Sequence, residues 1–487
     1  MPCAFRLERE HYTFSSKIGC QFSVPEHELI SVRGEKWCEF HLPADTPNKL
    51  GHKKTEWGED EIKKFNDKVI RTIQAQTAEN QLVDLSGVVF PGAITFSSNI
   101  ASSGSLPESL FVGAVFLQNV SFYKLSFGHY ALFHDVTFSQ HVHFSRCHFK
   151  RDALFIRCKF EKSASFFHVT FKEWAEFSNA QFLQNADFNE SSFSNHADFT
   201  NATFRGETSF RKAGFSANAE FEHVRFGKSV DFSSVTSRSS GVREDPPGEA
   251  SDAFHKANFF GASFYDVDFN NRQFLDTTNF QKSIFHRAPK FHNATLHQDT
   301  DFTDAKFLDT KSEFSTRAYR TLRLAMEDVR AHDEEAVFYA LELRSRRQRS
   351  DTQLSVKAFS YLYEIGSDYG RSISLPSLWL LAAISFYWII YSFIQMDSSA
   401  LISCLKYDIC PSDVIGKRAF DSFRTTFPFT IKQILLPFFV WREGTIHPLF
   451  ITSSPNLIRL IATTQSLLSL GLLTLLFLAI RRRFRMN

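Results

Sequence analysis

Residues 186–204 read ADFNESSFSNHADFTNATF, and this stretch contains the pattern that decides the fold of most of the chain. Phe recurs there at spacings that alternate between five and six, so that one five and one six together make the repeating unit. The same spacing holds without a break for 23 Phe between Phe111 and Phe232. The chain has 487 residues with 56 Phe, against only 4 Met and 6 Trp, so the pattern requires Phe itself and not hydrophobicity in general.

The residue two positions before each of these Phe is almost always small. It is Ala eleven times and Val six times, and Leu125 is the only larger residue. Residues i and i−2 of an extended chain point to the same side, so each unit turns one ring and one small group inward. On an α-helix, whose period is shorter, residues spaced alternately by five and six would not stay on one face, so the pattern is not that of a helix. The pattern therefore predicts a narrow coil with short extended sides, in which the rings stack in single file along the axis.

This pattern resembles the pentapeptide repeat family, whose units read small–Asp/Asn–Leu/Phe–polar–variable. The resemblance covers residues 85–307 and is strict at Phe259, Phe264, Phe269 and Phe274, which are spaced by five. It implies an all-β fold, the right-handed quadrilateral β-helix or pentapeptide repeat solenoid. At about 22 residues per coil we expect about nine coils and a rod of roughly 40 Å. The six-residue gaps depart from the family pattern and would add a residue at alternate corners.

Two uncharged stretches near the C-terminus, residues 375–394 and 460–480, are each long enough to cross a bilayer as a helix. Two buried core helices are the alternative. Basic residues precede the first stretch and follow the second, so both termini are expected in the cytoplasm. The N-terminal segment from Met1 to Lys17 is charged and has no apolar core, so no secretory signal is expected.

The patterns divide the chain into four parts. Residues 1–84 are expected to form a mixed domain with a helix near 59–80, and residues 85–310 the β-helix. Residues 311–372 form an α-helical linker, and residues 373–487 a two-span α-helical membrane domain. Residues 233–253 contain the sequence REDPPG and are expected to form a disordered loop ejected from the β-helix.

The segment between the two spans carries Phe residues at helical spacing, interrupted by prolines. It can lie on the membrane surface, or it can dip into the membrane as a re-entrant or pore helix of an oligomer. The candidate pore residues are Phe423, Phe427, Pro428, Phe429, Lys432 and Pro437. Cys404 and Cys410 lie in the same segment and are candidates for a disulfide in an oxidising periplasm.

The C-terminal part resembles the tail of bacterial membrane-bound pentapeptide repeat proteins, which carry two C-terminal spans. The resemblance rests on residues 369–372 (YGRS), residues 427–429 (FPF), Gln465 and residues 478–485 (LAIRRRFR). It implies a location in the inner (cytoplasmic) membrane of a bacterium. The layout of span, loop and span is similar to that of two-span ion channels, but the chain lacks the Thr-x-Gly-Tyr-Gly filter of potassium channels.

Arginine clusters flank the two spans. Residues 317–350 read as two short helices that end in such a cluster, and a second cluster follows the second span. These side chains can contact anionic lipid headgroups, and a solvated helix end is the alternative. They are Arg344, Arg346, Arg347, Arg349, Arg481, Arg482, Arg483 and Arg485.

The N-terminal residues Cys3, Cys20, Cys38 and His41 form a cysteine-rich group. Thiolates in a reducing compartment suit zinc, and Cys38 and His41 are separated by two residues, as in zinc sites. The three cysteines are much further apart from one another in the chain, and their spacings match no zinc motif. Ordinary buried or free thiols therefore remain the alternative, and no other cofactor is expected.

The chain has no Gly-rich phosphate loop, nucleophile elbow or HExxH sequence, so we expect no enzyme. Asp187 and Asp198 recur at the position before Phe, which indicates a structural ladder and not an acid/base pair. The rod from Phe111 to Phe232 has 13 Lys and Arg against 12 Asp and Glu, a net charge of +1. Such a rod neither mimics the acidity of DNA nor attracts it, so no nucleic-acid partner is expected.

The sequence therefore predicts a non-enzymatic membrane-anchored pentapeptide repeat protein. Its cytoplasmic β-helix would bind an unidentified protein, ligand or signal. Its two spans and the Phe/Pro loop would contact membrane lipid and form a homo-oligomeric, channel-like or membrane-perturbing module. The alternative is a passive membrane-tethered scaffold for protein–protein interaction, which needs no oligomer.

Overall fold

The computed structural model describes residues 3–7, 18–20, 22, 24–79, 81–96, 100, 104–234, 253–395, 412–435 and 455–485. The chain divides into two compact units, Met1–Phe338 and Tyr339–Asn487. The first contains a β-solenoid, and the described part of the second is helical. The finer four-part division expected from the sequence stays a prediction.

The solenoid has about nine turns, in agreement with the Phe spacing. Most strands are two residues long and pair in parallel with the strand one turn away; Ala186, for example, pairs with Ala164 and with Thr208. In the described part of the chain the strands form one sheet of 16 and one of 13. The solenoid strands are Val83–Asp84, Val89–Phe90, Ile94–Thr95, Ser109–Leu110, Val115–Phe116, Val120–Ser121, Ser126–Phe127, Ala131–Leu132, Thr137–Phe138, Val142–His143, His148–Phe149, Ala153–Leu154, Lys159–Phe160, Ala164–Ser165, Thr170–Phe171, Ala175–Glu176, Gln181–Phe182, Ala186–Asp187, Ser192–Phe193, Ala197–Asp198, Thr203–Phe204, Thr208–Ser209, Gly214–Glu220, Arg225–Asp231, Phe254–Asn258, Ser263–Asp268, Thr278–Asn279, Ile284–Phe285 and Lys306–Phe307.

The Phe rings form four columns inside the solenoid, so the prediction of a single file is wrong. Each turn contributes four rings, and each ring stacks on its equivalent in the next turn because both leave the same wall. Phe166, for example, stacks on Phe144 at 5.0 Å between centroids and on Phe188 at 4.7 Å. Rings of neighbouring columns meet edge to face, which is the other favourable aromatic geometry. Listed by residue number along the solenoid, the Phe of the first column are 90, 116, 138, 160, 182, 204, 226, 264, 285 and 307, and those of the second are 96, 122, 144, 166, 188, 210, 232, 269 and 291. Those of the third column are 127, 149, 171, 193, 215, 254 and 274, and those of the fourth are 111, 133, 155, 177, 199, 221, 259, 280 and 302.

The corners of the solenoid alternate between two shapes, which explains the alternation of five and six residues. In the five-residue corner that follows Phe199, Asn201 has a φ of 58° and the amide of Ala202 donates to the carbonyl of Phe199 at 2.9 Å. A positive φ at the third residue and an i to i+3 hydrogen bond define a tight turn. The six-residue corners between Phe111 and Phe232 carry the extra residue and lack the positive φ.

Acidic and amide side chains on the solenoid walls hold the turns, as the recurrence of Asp before Phe indicates. Asp187 Oδ1 accepts the amide hydrogen of Asn189 at 3.0 Å, and Asp198 Oδ1 accepts that of Thr200 at 2.7 Å. Asn185 Oδ1 accepts from Glu207 N at 3.0 Å, one turn further on. The expected disordered loop 233–253 falls mainly on residues 235–252, which lie outside the described residues. The columns continue on both sides of it, since Phe215 and Phe254 stack at 4.7 Å.

The helices begin with α1, which lies close to the predicted range 59–80. Its buried residues Phe65, Val69, Ile73 and Thr77 are four apart and form one face. The carboxylate of Glu61 accepts the amide hydrogen of Gly58 and so caps the helix start. The helices are α1 (Glu59–Ala78), α2 (Ser315–Asp328), α3 (His332–Gln348), α4 (Leu354–Ser367), α5 (Ser374–Gln395), α6 (Ser412–Leu435) and α7 (Pro455–Arg485), with short 3-10 helices at Glu26–Glu28 and Lys54–Glu56. Two antiparallel strand pairs precede α1, Arg6–Leu7 with Ile18–Gly19 and Ile30–Val32 with Glu35–Trp37.

Both ends of the ring columns within the first unit are covered by other side chains. At the start, Phe65 of α1 meets Phe90 edge to face at 6.1 Å. At the end, Phe338 of α3 contacts both Phe302 and Phe307 at 5.2 Å. A solenoid must cover its terminal apolar surface, and these contacts cover part of it at each end.

Candidate functional sites

Among the described residues, two helices are long and apolar enough to cross a membrane, Ser374–Gln395 and Asn456–Arg482. Their polarity is the reverse of that of a soluble protein. Large apolar side chains point outward, with Phe386 60%, Phe393 67% and Phe477 65% exposed, whereas Ser392 and Gln465 are fully buried. Exposed apolar surface with polar residues inside is typical of helices surrounded by lipid.

The polar side chains lie where α5, α6 and α7 meet. Gln465 Oε1 accepts the hydroxyl hydrogen of Tyr391 at 2.9 Å, and Gln465 Nε2 donates to the carbonyl of Thr430 at 3.0 Å. One glutamine thus connects all three helices. Ser392 and Thr426 share a further hydrogen bond of 2.7 Å between α5 and α6. The sequence predicted neither this core nor its residues, although a glutamine within an apolar span is itself a signal of an interhelical hydrogen bond.

The candidate pore segment falls on α6, which is a continuous helix that includes Pro428. Phe429 is buried, and the carbonyl of Phe423 accepts the indole hydrogen of Trp388 at 2.8 Å. Phe427 and Lys432 are exposed, although the Phe427 ring still meets the Trp388 ring edge to face at 5.0 Å. α6 contacts the half of each span that adjoins the loop, through Trp388 and Ser392 of α5 and Gln465 of α7. An interfacial helix and a re-entrant helix both fit this position.

Four candidate lipid-binding arginines have partners within the protein. Arg344 and Arg347 both pair with Glu364 of α4, at 2.8 and 2.5 Å. Arg349 pairs with Asp351 at 2.7 Å, and Arg482 Nη1 donates to the carbonyl of Tyr369 at 3.2 Å. These contacts tie α3, α4 and α7 together. Among the candidate arginines whose side chains the structure describes, Arg346 and Arg481 are exposed, so their guanidinium groups are accessible to lipid headgroups.

Helix α4 lies within residues 311–372, the linker that the sequence predicts to be helical, although no separate helix was named there. It forms one wall of an open apolar groove in the described part of residues 339–487, which we call the helical module. Phe359 and Leu362 of α4 are largely exposed, and the groove of about 1290 Å³ continues onto Phe386 of α5 and Leu467 of α7. Trp379 also lines the groove and donates its indole hydrogen to the carbonyl of Ile365 at 3.0 Å. The groove is lined almost wholly by apolar side chains and thus extends the apolar exterior of the spans.

The structure brings the four N-terminal metal candidates together. Their ligand atoms all lie within 4.8 Å of one another, and the group could hold a metal ion. Cys38 Sγ lies 3.1 Å from His41 Nδ1 and 3.7 Å from Cys20 Sγ. Cys3 Sγ lies 3.7 Å from His41 Nδ1. Thiols of Cys20 and Cys38 that hydrogen-bond to Cys3 lower the pKa of Cys3, and the contact with Cys3 raises the pKa of Cys20 to about 11.

Lys54 lies in the same region and was missed by the sequence analysis. Its side chain is fully buried, and its ammonium donates to the carbonyls of Phe40 at 3.0 Å and Val89 at 2.7 Å. Burial lowers the pKa of Lys54 to about 7, against a partial compensation from the charges of Cys38 and Glu39. No local pattern marks such a lysine, because its burial depends on where the fold places Phe40 and Val89.

Several candidate residues lie outside what the structure describes. These are Cys404, Cys410 and Pro437, together with the side chains of Arg483 and Arg485. The disulfide between Cys404 and Cys410 therefore stays a prediction.

Residues 144–192 and 188–236 match the family model described as pentapeptide repeats (9 copies). The matched segments lie within the four-column part of the solenoid. No curated protein and no solved structure matches the chain.

Proposed function

We propose that this chain, a pentapeptide repeat protein with two candidate membrane helices, is a non-enzymatic membrane protein that holds its β-solenoid at a bilayer. The observation that carries the proposal is the reversed polarity of α5 and α7, whose apolar side chains face outward and whose polar side chains face inward. In water such a surface would aggregate, since exposed apolar patches of this size mark interfaces with lipid or protein.

The solenoid is the part that we propose to bind a partner. Proteins built from pentapeptide repeat solenoids are generally structural or interaction proteins. Its core consists of interlocked rings, so its walls keep their shape and present polar side chains at fixed intervals. Arg157 and Asp135, for example, pair at 2.7 Å across adjacent turns. A rigid surface with regularly spaced charges binds a protein partner at a low entropic cost.

We further propose that the protein lies in the inner membrane of a bacterium, with both termini in the cytoplasm. The basic flanks support this orientation, because Lys and Arg accumulate on the cytoplasmic side of spans. The exposed Arg346 and Arg481 would then meet the anionic headgroups of that leaflet.

A homo-oligomeric, channel-like module is the second candidate. The outer face of α6 carries Asp421, Arg424 and Lys432, all exposed. Charged side chains are costly against lipid, so this face favours contact with water, either at the membrane surface or along a path enclosed by several subunits. The passive scaffold requires only that α6 contacts water at the membrane surface. It is the simpler of the two, because the polar core of α5, α6 and α7 is closed within one chain.

Carbene footprinting of the full-length protein in lipid vesicles tests the proposal. A diazirine reagent dissolved in the lipid should label Phe386 and Phe393 of α5 and leave Phe314 unlabelled, although Phe314 is 74% exposed. Phe314 is the matched control because it is an exposed Phe outside the spans. Equal labelling of all three would refute the membrane location. Mass analysis of the same vesicles after detergent extraction separates the two candidates, since the scaffold is expected as a monomer and the channel-like module as an oligomer.

A further inference from the structure

We propose that Cys3, Cys20, Cys38 and His41 bind one structural zinc ion that fastens the N-terminal segment to the first turn of the solenoid. The distances are close to those of a coordination polyhedron, apart from the shorter 3.1 Å between Cys38 Sγ and His41 Nδ1. With Zn–S near 2.3 Å and Zn–N near 2.0–2.1 Å, a tetrahedral site requires about 3.8 Å between sulfurs and about 3.6 Å from sulfur to nitrogen. The structure has 3.7 Å from Cys20 Sγ to Cys38 Sγ and 3.7 Å from Cys3 Sγ to His41 Nδ1.

The imidazole of His41 is oriented for ligation through Nδ1. Its Nε2 lies 3.0 Å from the carbonyl oxygen of Ser86. A carbonyl can only accept, so Nε2 carries the hydrogen and Nδ1 has a free lone pair directed at the sulfurs. Phe5 stacks on the ring at 4.0 Å with an interplanar angle of 3°, which fixes the plane of the imidazole. Outer contacts of this kind are typical of histidines that bind metal.

The sulfur ligands have the surroundings that thiolates need. The amide of Cys38 donates to Cys3 Sγ at 3.2 Å, so a backbone dipole faces the negative charge of that sulfur. Cys3, Cys38 and His41 are at most 2% exposed, and the three cysteines of the group are free. Zinc binding would displace the remaining thiol protons, and the dication would offset the repulsion between the three thiolates so formed.

A three-cysteine, one-histidine zinc site has a net charge of −1, and the buried side chain of Lys54 lies beside the loop that carries Cys38 and His41. The ammonium of Lys54 is buried and interacts electrostatically with Cys38 and Cys3. It also donates to the carbonyl of Phe40, which lies between two of the ligands in the chain. The buried side chain of Lys54 thus holds the backbone of the loop that carries Cys38 and His41.

The position of the site gives it a structural role. His41 bonds to Ser86, and the amide of Val89 donates to the carbonyl of Phe40 at 2.9 Å, so the ligand loop pairs with the first turn of the solenoid. Phe40 also meets Phe65 at 5.5 Å, and Phe65 covers Phe90, the first ring of its column. Four protein ligands leave no open coordination position, as in structural and not catalytic zinc sites.

The test is metal analysis of the full-length protein purified in detergent without chelators or a histidine tag. We expect one zinc per chain in the wild type and none in Cys38→Ala. The matched control is Cys147→Ala. It replaces a buried cysteine of the solenoid, two residues before Phe149, by alanine, the residue most common at that small inward position. It should keep its zinc. A wild type without stoichiometric metal, or with iron in place of zinc, would overturn the proposal.

A second measurement keeps the proposal testable if Cys38→Ala does not fold. Wild-type protein is stripped with a chelator and reloaded with Co²⁺, which should show the visible bands of tetrahedral cobalt bound to thiolates. Hydrogen exchange before and after stripping then tests the structural role. Exchange should accelerate at residues 86–90 and stay unchanged at residues 144–234. If the stripped protein shows no such bands with Co²⁺, the zinc site is contradicted. If its hydrogen exchange at residues 86–90 is unchanged, the fastening role is contradicted.

Discussion

Phe166 and Phe167 are adjacent phenylalanines with opposite environments, and they provide a sharp test of the four-column core. The ring of Phe166 is fully buried and stacks on Phe144 and Phe188 at 5.0 and 4.7 Å. Phe167 lies on the wall and is only half-buried. The same substitution by alanine can therefore be made inside and outside the core, at neighbouring positions.

Phe166→Ala should destabilise the surrounding turns by about 3–5 kcal/mol, the range for a buried Phe whose cavity cannot collapse. The cavity should persist because the neighbouring rings are held by their own columns. Phe167→Ala should lose less than about 1 kcal/mol, as is usual for partly exposed positions without a special contact. Since each step of about 1.4 kcal/mol is a factor of ten, a difference of at least about 2 kcal/mol changes a local opening equilibrium by about thirtyfold or more.

Hydrogen exchange of the full-length protein in detergent measures that equilibrium turn by turn. The amides to follow join adjacent turns beside Phe166, such as Phe166 N to Asp187 O at 2.6 Å and Phe144 N to Ser165 O at 2.8 Å. Exchange there should accelerate strongly in Phe166→Ala and little in Phe167→Ala. Because turns contact only their neighbours, residues 259–307 should be unaffected. Equal acceleration in the two variants would refute the packing described here.

Three further substitutions test other parts of the account. His134→Leu should remove a pH dependence of stability. Burial lowers the pKa of His134 to about 4, so the wild type should lose about 3 kcal/mol of stability as the pH drops from 6.5 to 4. Thermal unfolding of the wild type and the variant across that pH range measures the difference. Ala186→Leu should cost about 1–3 kcal/mol by overpacking a fully enclosed small position, seen as a lower unfolding temperature. Gln465→Leu should weaken the helical module by about 1 kcal/mol, since it removes hydrogen bonds to Tyr391 and Thr430, and unfolding in mixed micelles measures the loss.

Each of these three has a control and a result that would contradict it. For His134 the control is His141→Leu, an exposed histidine, and a parallel pH profile for wild type and His134→Leu would contradict the sign given above. That sign follows because the unfolded chain binds more protons than the folded one between pH 6.5 and 4. For Ala186 the control is Ala217→Leu on the wall of the solenoid. For Gln465 it is Thr474→Leu, an exposed residue of the same helix. Equal effects in either pair would count against a tight core.

The solenoid could be predicted from the sequence because one physical constraint repeats. Each ring must point inward, and each inward ring must be preceded by a small group, so the period of Phe gives the turn length directly. The number of columns follows from four rings per turn, yet the prediction placed them in single file. The prediction assumed that all rings stack on one another along the central axis. Each ring instead stacks on its equivalent in the next turn of the same wall, as Phe166 does on Phe188.

The candidate sites were predictable only in part. The spacing of Cys3, Cys20 and Cys38 matches no zinc motif, because strands and turns of the N-terminal part, and not local sequence, bring the sulfurs together. The polar core of the helical module depends on how three helices pack, so a pattern read along one helix shows Gln465 but not its partners. The burial of Lys54 left no periodic signal, since it is set by Phe40 and Val89, which are distant in the chain.

The location of the helical module in lipid is the claim on which the proposed function depends most. Extraction of native membranes with alkaline carbonate tests it directly, since this treatment releases peripheral and soluble proteins and leaves spanning proteins in the pellet. The full-length chain should remain in the carbonate pellet and appear in the supernatant only after detergent is added. Recovery of the chain in the carbonate supernatant would contradict the membrane anchor and leave the apolar exterior of α5 and α7 to be explained by a protein partner.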